Sequence, residues 1–167
     1  MKRVCLVVLI GLIASIACQA HEPGEAESTL NIGKGKVTVH YGTPKLAGRN
    51  LDEMIKPGVA WFMGMNNTTT FETTIALDFD GKRLEPGKYA IFARPDEQKN
   101  WTLLVSSAAT KRPLDPATVV LSAPLKFAKD GAAQDLLKIT LNKSGDGASL
   151  DVAWGTYRLN GSFKPAA

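Results

Sequence analysis

From Leu30 onward the chain alternates apolar and polar residues, and that period of two limits it to half-buried strands. KVTVHY sets Val37, Val39 and Tyr41 on one face and Thr38 and His40 on the other. FETTIALDF groups Phe71, Thr73, Ile75, Leu77 and Phe79. KYAIFAR pairs Tyr89 with Ile91, WTLLV groups Trp101, Leu103 and Val105, LLKITL groups Leu137, Ile139 and Leu141, and SLDVAW groups Leu150, Val152 and Trp154. Turn residues separate the runs: Gly33-Lys34-Gly35, Asp80-Gly81, Pro86-Gly87, Asp130-Gly131, Ser144-Gly145-Asp146-Gly147 and Asn160-Gly161. Glycine and Asx residues supply the positive-φ positions that tight turns need. No long helical pattern is present. Leu51–Ile55, stopped by Pro57-Gly58, and Lys129–Leu137 are each expected to form one short helical turn. The expected fold is all-β: a single antiparallel β-sandwich or flattened barrel, jelly-roll-like, with short helical turns only. Val37, Val39, Ile75, Leu77, Ile91, Leu103, Ile139, Val152 and Trp154 are expected in its core.

The N-terminus follows a different rule. Met1-Lys2-Arg3 is a short positive region, and Val4–Ala17 carries no charge. Residues 1–20 therefore read as an export signal. As a transmembrane helix the apolar run is too short, since spanning takes roughly 17–25 apolar residues. ASIAC resembles a lipobox ending at Cys18, although Ser15 stands where leucine is preferred. Cleavage there would leave a lipidated Cys18, and Gln19 after it resembles outer-membrane sorting. The rival is ordinary cleavage after Ala20, which would expose His21. Residues 21–29 read as a flexible tether, and 30–164 as a single β domain. The expected location is the periplasmic side of the outer membrane as a lipoprotein, with a soluble periplasmic or secreted protein as the other option.

Composition narrows the function classes. Cys5 leaves with the signal, so the mature chain keeps at most one thiol and rests on its own core. About 140 residues suffice for one. Lys and Arg number 20 against 16 Asp and Glu; without Lys2 and Arg3 the excess falls to two. No basic run interleaved with aromatics occurs, so nucleic acid is not an expected partner. No P-loop, nucleophile elbow, zincin motif or zinc-spaced Cys/His set is present. His21 and His40 are the only histidines, and no spacing singles out a carboxylate pair among Asp52, Glu53, Glu72, Asp78 and Asp80.

One stretch does not read as plain scaffold. Tyr41–Thr70 is a long irregular connection carrying Arg49, Trp61, Met63, Met65, Asn66 and Asn67. Long loops on rigid sheets often carry function, although a packed Ω-type loop is the competing reading. YGTPKLAGR, PGVAWFMGMNNTTT, LEPGKYAIFARP, WTLLVS and LDVAWGTYRL, in this order, resemble the bacterial domain-of-unknown-function 2911 family, over about Thr38 to Phe163. The resemblance implies a secreted or lipid-anchored β protein whose biochemical role is not established. Trp61, Gly64, Asn66 and Arg49 match the family pattern. Phe62 stands where the family has Arg, Met65 where it often has Ala, and Asn67 where it often has Glu. The missing Arg and Glu are the members suited to acid–base work, which argues against catalysis at this site, or for a shifted role.

The leading expectation is a non-catalytic binding module of the cell envelope that needs no cofactor. Its partner would be a small molecule, glycan or envelope protein, and membrane contact would come only through the lipid. Trp61 and Phe62 would give apolar contact; Arg49, Asn66 and Asn67 would give hydrogen bonds. One alternative is a hydrolase acting on envelope carbohydrate. Another is a periplasmic copper-binding protein, with His40, Met63 and Met65 as soft ligands. Methionine also fills irregular core gaps, which is the plainer use for both.

Overall fold

The structure is a computed structural model that describes residues 24–110 and 112–167. The stretch read as an export signal, with Cys18 and His21, lies outside the described residues. Among the described residues no helix is long and apolar enough to cross a membrane.

Nine strands follow in chain order: β1 (Glu25–Ile32), β2 (Gly35–Gly42), β3 (Thr70–Thr73), β4 (Leu77–Phe79), β5 (Lys82–Leu84), β6 (Gly87–Pro95), β7 (Trp101–Ser106), β8 (Val119–Ser144) and β9 (Gly147–Pro165). They form one antiparallel sheet in the order β1-β2-β3-β6-β7-β8-β9-β4-β5, not closed into a barrel. The only helical pieces among the described residues are α1 (Leu51–Met54) and a 3-10 turn at Pro116–Thr118. The sheet folds over: Leu141 N on β8 donates to Ser28 Oγ on β1 at 2.9 Å. Val37, Val39, Leu77, Ile91, Leu103, Ile139, Val152 and Trp154 lie in the enclosed core; Ile75 is half-buried against it. Two aromatic groups tie the core together, Phe71 with Phe79 and Phe163, and Trp101 with Phe127 and Tyr157.

Four local expectations are corrected. Glu25–Thr29, assigned to the tether, is the first part of β1, pairing Glu25 with Gly42 and Glu27 with His40. Its alternation places Glu25, Glu27 and Thr29 outward, and the charges disguise the pattern. Lys129–Leu137 makes no helical turn but belongs to β8. Its backbone groups find tertiary partners instead: Leu46 N donates to Asp135 O at 2.7 Å, and Leu137 N to Pro44 O at 3.0 Å. The ladder to β9 shifts register on both sides of Gln134, as expected where a bulged strand bends. FETTIALDF is two strands, broken where the Thr73 hydroxyl donates to Ile75 O at 2.6 Å. Asp130-Gly131 and Asn160-Gly161 are no turns; they lie within β8 and β9. By contrast, Asp80-Gly81 is a two-residue hairpin turn with φ of 54° and 82°, the geometry that the pair favours.

The strand β6 is covered on both faces. Ile91 and Ala93 face the main core, while Ala90 and Phe92 join Leu104 in a second cluster. Ala60, Phe62, Leu114 and Val119 pack over that cluster. The long connection is thus a working part of the fold as well as a loop.

Candidate functional site

The connection leaves β2 at Gly42 and runs beside β8, with Lys45 bridged to Leu136. A turn at Ala47 and Gly48 follows, both at positive φ. Arg49 closes it, its Nε donating to Leu46 O at 3.0 Å and its terminal nitrogen to Lys45 O. The same guanidinium lies 5.6 Å from the ring centre of Trp154. Asn50 caps α1 through Asp52 N at 3.0 Å. Asp52 then reaches across the molecule. It accepts from Tyr157 Oη at 2.6 Å and from Lys129 Nζ at 2.8 Å. The bond from Lys129 is the main reason the Asp52 carboxyl sits below the usual aspartate range, with the Tyr157 bond next. Burial, then the bond to Asp52, push the Tyr157 phenol up.

The second half of the connection packs by shape. Trp61 exchanges two backbone hydrogen bonds of 2.8 Å with Ala93, so it adds one rung beside β6. Its indole stacks on Trp154 at 5.8 Å and 12°. Met63 is wholly buried in the main core. Phe62, between them, points the other way, and Arg112 lies over its ring at 4.3 Å. Arg112 also donates to Asn66 O. Met63 and Asn66 both have positive φ, 48° and 59°. Asparagine tolerates that region; for methionine it is strained.

The segment returns to β3 beside a cleft on the outer face of β1, β2 and β3. This cleft holds about 510 Å³ and is lined by Glu25, Glu27, His40, Asn67, Lys88 and Thr110, among others. Antiparallel register sets Glu27 opposite His40 and His40 opposite Thr70. The Glu27 carboxylate lies 3.2 Å from His40 Nδ1 and accepts from Thr29 Oγ1 at 2.8 Å. Glu25 accepts from Asn67 Nδ2. A smaller recess, sharing Glu27 and His40, continues along the same face toward Lys36 and Glu72.

The residues singled out from sequence therefore divide. Arg49 and Trp61 meet on Trp154; Phe62 and Asn66 meet at Arg112; Asn67 and His40 meet in the cleft. His40 faces outward from β2, whereas Met63 is sealed in the core, so the structure does not bring His40 and Met63 together. Met65 is half-buried, its backbone and Cγ within 3 Å of where a Cβ on Gly42 would lie. Among the described residues no group of three or more His, Cys, Asp or Glu is placed to hold a metal ion. Sequence reasoning missed Glu25, Glu27 and Lys88. The signal for the first two was the period of two in EAEST, visible only when the charges are read as an outward face.

No curated protein and no solved structure matches the chain. The family described as "Protein of unknown function (DUF2911)" matches residues 23–163, nearly the whole described domain, and the chain belongs to that family.

Proposed function

We propose that this chain is a non-catalytic binding module of the cell envelope, and that its site is the cleft of Glu25, Glu27, His40 and Asn67. The observation that carries the reading is the pair of outward carboxylates on β1. Both accept from neutral groups or His40, and among the described residues no lysine or arginine pairs with either. Lys88 is the one described ammonium on the lining. A ligand bringing a primary amine would supply the missing cation, and the cleft's size lies within the roughly 300–1,000 Å³ usual for small-molecule sites. The envelope location rests on the signal-like N-terminus. Glu25 follows Cys18 by seven positions, so a lipid on Cys18 would hold the cleft close to the membrane.

Thermal melts of the mature chain at fixed ionic strength test the site, with spermidine, cadaverine and 1,5-pentanediol as probes. The amines are expected to raise Tm in the wild type and not in Glu25→Gln/Glu27→Gln, while the diol leaves both unchanged. Equal shifts in both proteins, or none, would refute the site. Detergent partitioning that survives Cys18→Ser would refute the lipid attachment.

A further inference from the structure

A larger cleft lies elsewhere, where two strands part company. Leu121–Leu125 of β8 pair with β7, but pairing of β8 with β9 begins only at Lys126 and Asn160. Beyond that point β9 turns away and pairs with β4, Asp78 opposite Lys164 and Leu77 opposite Pro165. A groove of about 730 Å³ opens in the fork. Glycine sets its shape at two points. At the apex, a Cβ on Gly161 would lie 2.8 Å from Leu125 Cδ2. On one wall, a Cβ on Gly147 would lie 2.5 Å from Phe163 O, so only glycine lets the β8–β9 turn approach so closely.

The exposed backbone edge in this fork is poorly suited to taking up another strand. Lys82 Nζ already donates to Ser122 O at 2.6 Å, and Pro124 has no N–H to offer. Proline and lysine on an open edge both oppose strand addition. The groove therefore fits a ligand that engages side chains rather than a β-strand.

Its side chains narrow the ligand's chemistry. Asp78 comes from β4, Asp80 from the β4–β5 turn, Asp146 from the β8–β9 turn, and Lys126 and Lys164 from the forked strands. Asp78 gives one oxygen to Gly81 N at 2.6 Å. Asp80, Asp146, Lys126 and Lys164 form no side-chain hydrogen bond or ion pair among the described residues. A polyanion would meet three carboxylates, and a polycation two ammoniums. An apolar ligand would strip water from all of them without replacing it, which is costly. A hydroxyl both donates and accepts, so a polyhydroxylated ligand satisfies both signs at once.

We propose that the fork between β8 and β9 is a second ligand site, one that takes a neutral saccharide chain. It is independent of the amine cleft and shares no lining residue with it.

The test is a ¹⁵N–¹H correlation titration of the mature chain with chitotetraose and maltotetraose, with spermidine and citrate as charged probes. At least one saccharide is expected to give saturable shifts at Asp80, Gly81, Asp146, Gly147 and Ser162. Asp146→Asn/Lys126→Gln should weaken that binding about tenfold, the loss of one or two hydrogen bonds to charged groups. Both residues are exposed, and the dispersion of the variant's spectrum checks its fold. Glu25→Gln/Glu27→Gln should leave saccharide binding unchanged. The proposal is overturned if neither saccharide gives saturable shifts there, if the shifts cluster around Glu25 and His40 instead, if a charged probe saturates the groove more tightly, or if the double variant binds as well as the wild type.

Discussion

The two halves of the Tyr41–Thr70 connection are held down by different physics. From Lys45 to Asp52 most fastenings are polar and near the surface: Arg49 on two carbonyls and the Trp154 ring, Asp52 on Tyr157 and Lys129, with Leu51 the one side chain buried in the core. From Trp61 to Thr69 they are mostly buried: half-buried Trp61 stacked on buried Trp154, Met63 in the core, and Thr69 Oγ1 donating to Met63 O at 2.9 Å with no exposure to solvent. Water competes for most fastenings in the first half and for fewer in the second. The second half should therefore carry most of the stability and the first half mainly its position. The comparison also changes the standing of Arg49. Its matching position and its charge mark it as a binding residue in the sequence, yet its donors are engaged with its own chain.

Met63→Ala strikes the buried half. Removing a fully buried methionine should cost about 3 kcal/mol, read as a lowered urea midpoint with an unchanged slope. A loss under about 1 kcal/mol would mean that the segment collapses around the gap, and would erase the distinction between the halves.

Arg49→Ala strikes the exposed half. It should cost about 1 kcal/mol, because the freed carbonyls can turn to water. Amine binding in the Glu25–Glu27 cleft should not change. A loss of that binding with full stability would return Arg49 to the site and sharpen the contrast in the opposite direction.

The smallest effect is the pH dependence at Asp52. Its folded pKa is depressed, chiefly by the Lys129 bond, so its contribution is fully present above the ordinary aspartate range. As pH falls from there through the lower folded value, the contribution disappears. Being exposed, the pair should contribute less than about 1 kcal/mol. Acid titration of stability should show this limb in the wild type, a smaller one in Tyr157→Phe, and none assignable to this site in Asp52→Asn. Identical acid limbs in all three would show that the clasp adds nothing.

Much of the fold was legible because strands obey a local rule. Val37, Val39, Ile91, Leu103 and Val152 announce their burial by alternation alone, and Asp80-Gly81 announces its turn by backbone preference. Lys129–Leu137 was misread because its alanines and charges suit a helix, while the partners that keep it extended, Pro44 and Leu46, lie about ninety residues earlier. Glu25–Thr29 was misread because a charged outward face resembles a solvated tether.

The site was less legible for a related reason. The chain itself determined the all-β class, the main turns and which side chains point inward, since these follow from period-two patterning and φ preferences that neighbouring residues impose. It also carried the family blocks. Only the tertiary structure decided that Glu25 meets Asn67, that Asp52 meets Tyr157, that Arg49 folds onto Trp154, and that β8 and β9 separate at Gly161. Each depends on strand register and on where the folded sheet brings distant edges together. Those choices are fixed by packing the whole core at once, and no local run of residues contains them.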